Sequence, residues 1–585
     1  SREQLGLRGE WVVEVGGLEL PGPELPAAQS SAVQLFAHSA RRISPDFELG
    51  PETLEDVVRV CRMTGAMPLG IELAAAWLPT LSCAEIAVEI ERSLDFLATG
   101  PRDAPERHRS IRVVFDRSWE WLTDDEQRVF SRLAVFHGGA SRAAAEAIAG
   151  GSLPVLSALV AKSLVRRVAS GRFEVHELLR QYAAARLAER PAEAEETRDR
   201  HCAWFCDMLA HKRAELSGTG QQRALEEIGS DHENVRAAWA WAVERRRIAD
   251  ILKAVHGYWL YAEVTGRYLE TQEILGQVIA MLSSEPEGVV AGRRERELAL
   301  GAALIRYGSI HERLGDYAAG ERAIDAGMAV PRSLDEPFNL GLALNFKAMF
   351  ARAREEYGQE RALLLRSIDH FIAAGDRWGR GYSLNDLGMA TLMLGDPGEA
   401  RRLQRQALEI FDEIGDRRGA AFALHNLGVV ALATGDLDEA REHLRESLAI
   451  RRDLRHSWGI ATTLTALVSV ERAAGRAGDA RDLLREALVG AVAVQSITAA
   501  LGAALEMAAL WMSGDADERG RAARTLALAR SHPALDAAAR ARAASLLAEL
   551  GATTPEPLLR PDWVTQPVAE QVRVMLGGEA ELALA

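Results

Sequence analysis

The chain has 585 residues, 48% of them hydrophobic and 26% charged, with a net charge of −15 and a pI near 5.6. That length exceeds one hydrophobic core, so several domains are expected, and the composition is that of ordinary globular protein. So acidic a chain is excluded as a general nucleic-acid or membrane-surface binder, and Cys61, Cys83, Cys202 and Cys206 are too few for a disulfide scaffold and suit a reducing cytoplasm.

The chain opens on Ser1, Arg2 and Glu3, and Pro21, Pro23 and Pro26 follow as punctuation. Residues 27–98 read as four short helices, with Pro51 and Pro68 at first-turn positions, where a missing N–H costs nothing. Gly100, Pro101 and Pro105 mark a boundary near residue 104. Residues 105–190 differ. Helical stretches at 106–122, 123–136, 141–149 and 153–163 precede two β-like runs, 164–168 and 172–175, joined by Ala169-Ser170-Gly171. A helix from His176 to Glu189 follows. Helices closed by a small hairpin describe a winged helix, although the usual order puts the hairpin last. This stretch holds 14 Lys+Arg against 10 Asp+Glu, which leaves −19 for the rest of the chain.

Residues 191–290 are helical again, with Trp204, Phe205, Trp239, Trp241, Trp259 and Tyr261 as aromatic anchors. Cys202 and Cys206, flanked by His201 and His211, lack the paired spacing of zinc modules and read as buried helix residues. Gly266-Arg267-Tyr268 is a divergent early repeat turn. From Gly315 the chain repeats every 40 residues. Gly315-Asp316, Gly395-Asp396 and Gly435-Asp436 mark one turn, Gly475-Arg476 a looser copy, and Glu355-Glu356 keeps the register without glycine. Half a repeat away stand Asp376-Arg377-Trp378-Gly379, Asp416-Arg417-Arg418-Gly419 and the degraded His456-Ser457-Trp458-Gly459. Apolar columns run through Leu384, Leu424 and Leu464, and through Leu387, Leu427 and Leu467.

Each period therefore holds two helices of roughly 16 residues, about seven pairs between 247 and 550. One pair cannot bury its own apolar face, but stacked pairs can, so residues 291–552 predict a tetratricopeptide-like α-solenoid with a concave groove. Such a groove binds a protein or small-molecule effector and rarely does chemistry. A plain spacer is the bland reading. The uncharged stretch Ala487–Leu505 crosses a joint of the repeat and reads as solenoid packing, so no membrane contact is expected. Residues 553–585 are left as a cap or tail.

Three phrases carry a family resemblance. Residues 62–76, with Ala66-Met67-Pro68 standing for Gly-Leu-Pro, resemble the Gly-Leu-Pro-Leu-Ala motif of the NB-ARC/STAND signalling ATPases. Residues 173–179, containing His176, resemble their Met-His-Asp motif. Ser1-Arg2-Glu3 resembles the strand end that carries the sensor arginine. The whole layout is similar to bacterial AfsR/SARP and MalT-like transcriptional regulators with tetratricopeptide repeats. The resemblance implies that residues 1–25 end a nucleotide-binding domain, 26–104 form its helical lid, 105–190 a winged helix, and 191–290 a linker with a first divergent repeat. It also implies ADP or ATP in the intact protein. Arg2 would sense the γ-phosphate, Pro68 would pack on adenine, and His176 would touch the β-phosphate of ADP and lock a closed state. Read without the family, His176 caps its own helix and Pro68 starts one.

The chain departs from that family in one respect. A phosphate loop needs Gly-Lys-Ser/Thr, and none of Lys162, Lys212, Lys253 and Lys347 follows a glycine. A chain beginning inside its ATPase domain is the economical reading, so this chain is expected to be no enzyme and to hold no nucleotide by itself. The leading expectation is a regulatory switch, with the solenoid as sensor, self-assembly on activation, and DNA bound only by a domain outside the chain. The alternatives are direct DNA binding by the winged helix, through Arg107, Arg109, Arg112, Arg166 and Arg167, and an inert scaffold.

Overall fold

The computed structural model describes residues 17–22, 25–92, 111–284, 292–330, 336–493, 495–535, 537–551, 564 and 566–576. It is mainly all-α and divides into two compact units. Described residues up to Phe205, with Ser230–Trp241, form the first. Cys206–Gly229 and Ala242 onward form the second. The stretch read as a linker thus contributes to both.

The first unit opens with four helices, α1 (Ser31–Ile43), α2 (Pro51–Met63), α3 (Pro68–Ala75) and α4 (Cys83–Arg92). Pro51 and Pro68 are each the first helical residue, and the Ser30 hydroxyl accepts from the Val33 N–H to cap α1. α1 packs on α3 and α2 on α4, burying Phe36, Val57, Ile71, Ile86 and Ile90 completely. Next come α5 (Ile111–Glu120) and α6 (Asp124–Arg132), whose start is fixed by a reciprocal cap between Thr123 and Glu126. The helix expected over 123–136 changes to a tighter 3-10 turn at Leu133–Val135, and the one expected over 141–149 is a short α7 (Arg142–Ala144) that widens into a π turn and stops at left-handed Gly150. After α8 (Leu153–Ala161), β1 (Arg166–Arg167) and β2 (Phe173–Glu174) pair antiparallel, and Ala140 bridges Phe173 from the other side. α9 (Glu177–Ala188) follows the hairpin. α10 (Pro191–Leu216) is divided between the units after Phe205, α11 (Gln221–Ser230) lies in the second up to Gly229, and α12 (His232–Glu244) lies in the first up to Trp241. Its Asn234 accepts from the His137 N–H and donates to the Gly139 carbonyl.

The second unit is a solenoid of helix pairs. These are α13 (Ile248–Thr265) with α14 (Tyr268–Ser283), α15 (Arg293–Arg313) with α16 (Tyr317–Ala329), α17 (Pro337–Ala353) with α18 (Tyr357–Ala373), and α19 (Arg377–Met393) with α20 (Pro397–Ile414). Then follow α21 (Arg417–Thr434) with α22 (Leu437–Asp453), α23 (Ser457–Ala473) with α24 (Ala477–Ala493), and α25 (Ile497–Trp511) with α26 (Ala516–Ser531). α27 (Ala537–Glu549) and α28 (Val568–Leu576) close the described chain. Both leucine columns are buried, from Leu384 at 7% exposed to Leu464 at 0%. The uncharged stretch at 487–505 is divided between α24 and α25, and no single helix among the described residues is long and apolar enough to cross a membrane.

The repeat turns keep one backbone conformation whatever residue occupies them. Gly315, Gly395, Gly435 and Gly475 have φ between 75° and 91°. Glu355, in their register, is forced to 60°, and Arg455, in register with Gly375 and Gly415, to 53°. A non-glycine residue there costs roughly 1–2 kcal/mol. Both side chains are exposed, so replacing them removes no packing. Glu355→Gly and Arg455→Gly should each stabilise the second unit by about 0.5–1 kcal/mol, whereas Gly395→Ala should destabilise it by about 1 kcal/mol. Thermal and urea unfolding of the variants would check all three. No gain from either glycine would mean that these turns relax without strain.

Candidate functional site

The residues that sequence reasoning selected lie in the first unit. Arg2 lies outside the described residues. Pro68 opens α3, two residues after a loop in which Gly65 and Ala66 are both left-handed, with φ of 63° and 52°. Ala66 therefore occupies a conformation that favours glycine, which is the residue the family motif would place there. The loop is held by backbone: the Ala66 N–H donates to Cys61 O at 2.8 Å, and Leu18 N–H donates to Ala66 O at 2.9 Å.

His176 is the cap of α9. Its Nδ1 accepts from the Leu178 N–H at 3.3 Å. That bond leaves Nε2 as the protonated nitrogen of the neutral ring. Burial lowers its pKa, against the pull of Glu177 and with the help of Arg166. The ring lies against the Pro68 loop, since a methyl group built on Gly65 would fall 1.9 Å from Nε2. The structure thus brings His176 against Gly65, 111 positions earlier in the chain, in the loop that leads into Pro68. Of the arginines considered for DNA, Arg107 and Arg109 lie outside the described residues, Arg166 is paired with Glu174 at 2.9 Å, and Arg167 is exposed.

A larger feature lies in the second unit. A cavity of about 330 Å³ opens on the face where the first helices of successive pairs gather, α13, α15, α17, α19, α21 and α23. Its walls are built from equivalent repeat positions. Trp378, Arg418 and Trp458 form one column, and Tyr382, Phe422 and Thr462 another, one helical turn further on. The cavity combines aromatic rings with buried charge. Glu263 on α13, 2% exposed, accepts from Arg313 at 3.2 Å and from Arg418 at 3.4 Å. Arg313 lies 4.5 Å from the centre of the Trp458 ring, and Arg418 is 5.3 Å from Phe422 and 5.5 Å from Tyr382. Burial works against the Arg313 charge, but Glu263 and Glu312 hold its pKa well above the ordinary value. Toward α17 the wall turns acidic: Asp386 accepts from Asn345 at 3.0 Å and faces Arg352 at 3.7 Å. Half-buried His425, on the wall, and buried His456, beside the Phe422 and Trp458 rings, have their pKa values lowered well below the ordinary value, first by burial and then by the neighbouring arginines.

No sequence reading assigned these residues to a site. The signal was present, because Trp378, Arg418 and Trp458 align in the half-repeat punctuation, but they read there as turn markers. Glu263, 155 residues before Arg418, had no repeat copy to reveal it.

The chain is similar to several known proteins. Residues 381–411 and 419–489 match models of the tetratricopeptide repeat. A Mycobacterium tuberculosis (strain H37Rv) protein provisionally named an HTH-type transcriptional regulator is 33% identical over 265 residues, which is 43% of this chain and 29% of that protein. The chain thus spans under a third of that relative's length. Among solved structures, a STAND protein with a tetratricopeptide-repeat sensor from Pyrococcus horikoshii aligns with 14% identity over 84% of this chain and 71% of its own, at a TM-score of 0.39. A Rap protein in complex with competence and sporulation factor aligns with 12% identity over 59% of this chain and 97% of its own, at a TM-score of 0.43.

Three histidines with lowered pKa values, of which His201 is buried, give the first unit a pH dependence. Burial lowers the pKa values of His137 and His176, and takes His201, in contact with Phe136 and Phe205, down to about 4. A depressed histidine favours folding in its neutral form. Its contribution is complete above an unfolded value of about 6.5 and is lost as pH falls toward the folded value. The thermal midpoint of the first unit should therefore drop between pH 6.5 and 4.5, and His201→Gln should flatten that slope. An unchanged slope in the variant would assign the loss to carboxylates instead.

Proposed function

We propose that this chain is the sensor and switch portion of a nucleotide-regulated transcriptional regulator. The solenoid holds an effector in its groove, and the segment containing the Pro68 loop and His176 reports that binding to a nucleotide domain. The observation that carries the reading is the cavity itself, where arginines and aromatic rings from six successive repeats converge on one concave face. A spacer would have no reason to bury Glu263, Arg418 and Arg451 there. The tetratricopeptide models and the relative named as a transcriptional regulator support the same reading.

In this reading ADP bound by the intact protein keeps the switch closed, and residues 105–190 act as an intramolecular winged helix. The role assigned to His176 is to donate from Nε2 to a phosphate while Nδ1 stays occupied by Leu178. Pro68, next to the same loop, would cover the base, and Arg2 would read the γ-phosphate. Effector binding favours the open state and permits exchange to ATP and self-assembly. Direct DNA contact belongs to a domain outside the chain, and the chain itself has no catalytic role.

The groove reading is tested in cells. Transcript profiles should be compared for wild-type, deletion and Trp378→Ala alleles of the intact gene. Trp378→Ala is expected to reproduce the deletion at a normal protein level, and a wild-type profile would overturn the sensor assignment. The switch reading is tested with His176→Ala in the intact protein. Losing a hydrogen bond to a charged phosphate should cost about 1.5–3 kcal/mol, enough to shift a closed–open equilibrium ten-fold or more. Less ADP should survive purification and basal output should rise. Unchanged retention and output would leave His176 as a helix cap alone.

A further inference from the structure

Within the repeat, one position breaks its own rule. Phe371 and Phe411 are equivalent residues near the ends of α18 and α20, 1% and 0% exposed, and each ring lies against a glycine of the next first helix. A methyl group on Gly379 would fall 2.2 Å from Phe371, and one on Gly419 would fall 2.3 Å from Phe411. The next copy of that phenylalanine is Arg451, and its facing glycine is Gly459.

Arg451 is as buried as the rings it replaces, at 1% exposed, and it lines the cavity. Its Nη1 donates to Gly459 O at 2.6 Å, to Thr462 at 2.9 Å and to Thr463 at 2.7 Å. Its Nε and Nη2 have no hydrogen-bond partner, and among the described residues no carboxylate pairs with it. Burial, and after it the like charge of Arg418, push its pKa down to about 9. The other cavity arginines are compensated, Arg313 and Arg418 by Glu263 and Arg352 by Asp386. Arg418 also leaves its Nε unpartnered, and it flanks the same Phe422 ring as Arg451, at 5.3 Å against 4.6 Å. Trp378 and Trp458, on either side of Arg418 in the repeat column, leave their ring N–H groups unpartnered as well. One wall of the cavity is therefore rich in donors, carries an uncompensated cation and is otherwise aromatic.

We propose that the cavity takes a ligand bearing one carboxylate on an aromatic or branched apolar body, with Arg451 and Arg418 holding the carboxylate and the Trp378, Phe422 and Trp458 rings enclosing the body. This rests on the groove being the sensor site and names the chemistry of what is sensed. A guanidinium offers paired donors that match a carboxylate, and its plane stacks on an aromatic face, so both halves of such a ligand are recognised by residues already in place. At about 330 Å³ the cavity accommodates a small aromatic acid or the last residues of a peptide.

The test uses the 585-residue chain with two matched pairs of probes, followed by tryptophan fluorescence and calorimetry. The first pair is 2-naphthoate and 2-naphthamide. The second is the tripeptide Ala-Leu-Phe with a free or an amidated C-terminus. At least one acid should bind at one site per chain, and at least about ten-fold more tightly than its amide, the discrimination expected when a buried charged donor loses its partner. The pair that shows the preference identifies the source, a free acid or a peptide terminus. Arg451→Gln and Arg418→Gln should reduce the preference to about two-fold or less while leaving amide binding in place. The wild-type comparison stands even where a variant fails to fold. Amides that bind as well as the acids, or no binding by either acid, would overturn the proposal. So would a preference that survives in both variants. If Trp378→Ala silences the intact regulator while the acids show no preference, the sensor reading stands and only the anion assignment falls.

Discussion

A phenyl ring pressed onto a glycine is the contact that sets two successive joints at the middle of the solenoid. Phe371 meets Gly379 and Phe411 meets Gly419, each across the joint between one pair's second helix and the next pair's first. No larger residue fits at those glycines, and no smaller one would fill the space at the rings. The contact fixes how closely successive pairs approach. Depth then decides the rest. Leu384, Leu424 and Leu464 come to lie in the continuous core, and the residues one turn away come to face the groove. The cavity is thus a by-product of the stacking rule, since the same turn of helix that supplies the packing glycine also supplies Trp378, Arg418 or Trp458.

Arg451 gains its meaning from this rule. A buried guanidinium in a phenylalanine position is not explained by stability. Removing an ion from water costs several kcal/mol, and Arg451 recovers only the bonds made by one of its nitrogens. The tertiary structure tolerates it because the cavity lies alongside. Where a sequence breaks a repeated packing choice without a compensating partner, function is the physical account that remains. The same argument applies more weakly to Arg418, which interrupts a column of Phe338, Trp378 and Trp458 but keeps one bond to Glu263.

Much of this was legible in the sequence because it is periodic or local. The turn glycines, the leucine columns, the first-turn prolines Pro51 and Pro68, and the hairpin around Gly171 all depend on neighbours within a few residues or one period. Even the loss of glycine at Glu355 and Arg455 left the turn in place, because stacking on both sides outweighs a local cost of roughly 1–2 kcal/mol. The groove chemistry was not legible for the opposite reason. It depends on Glu263 meeting Arg313 and Arg418 from a divergent first pair whose repeat signature was its turn at Gly266-Arg267-Tyr268, not its groove residues. The division of the chain was also hidden. α10 has one continuous helical pattern, yet its residues up to Phe205 belong to one unit and those from Cys206 to the other. Helix periodicity reports which face is buried and says nothing of which partner buries it.

In the first unit the same tension between local cost and tertiary support appears at the Pro68 loop. Ala66 is held in a left-handed conformation, and Gly65 gives up its Cβ space to the His176 ring. Two backbone bonds, to Cys61 and from Leu18, keep the loop in that shape. The arrangement is more specific than helix capping requires. A serine or aspartate would cap α9 equally well and would not reach Gly65, whereas an imidazole can accept at Nδ1 and still present a donor on its far side. A half-buried ring with one nitrogen committed to its helix and the other turned toward a strained loop is suited to couple that loop to the start of α9.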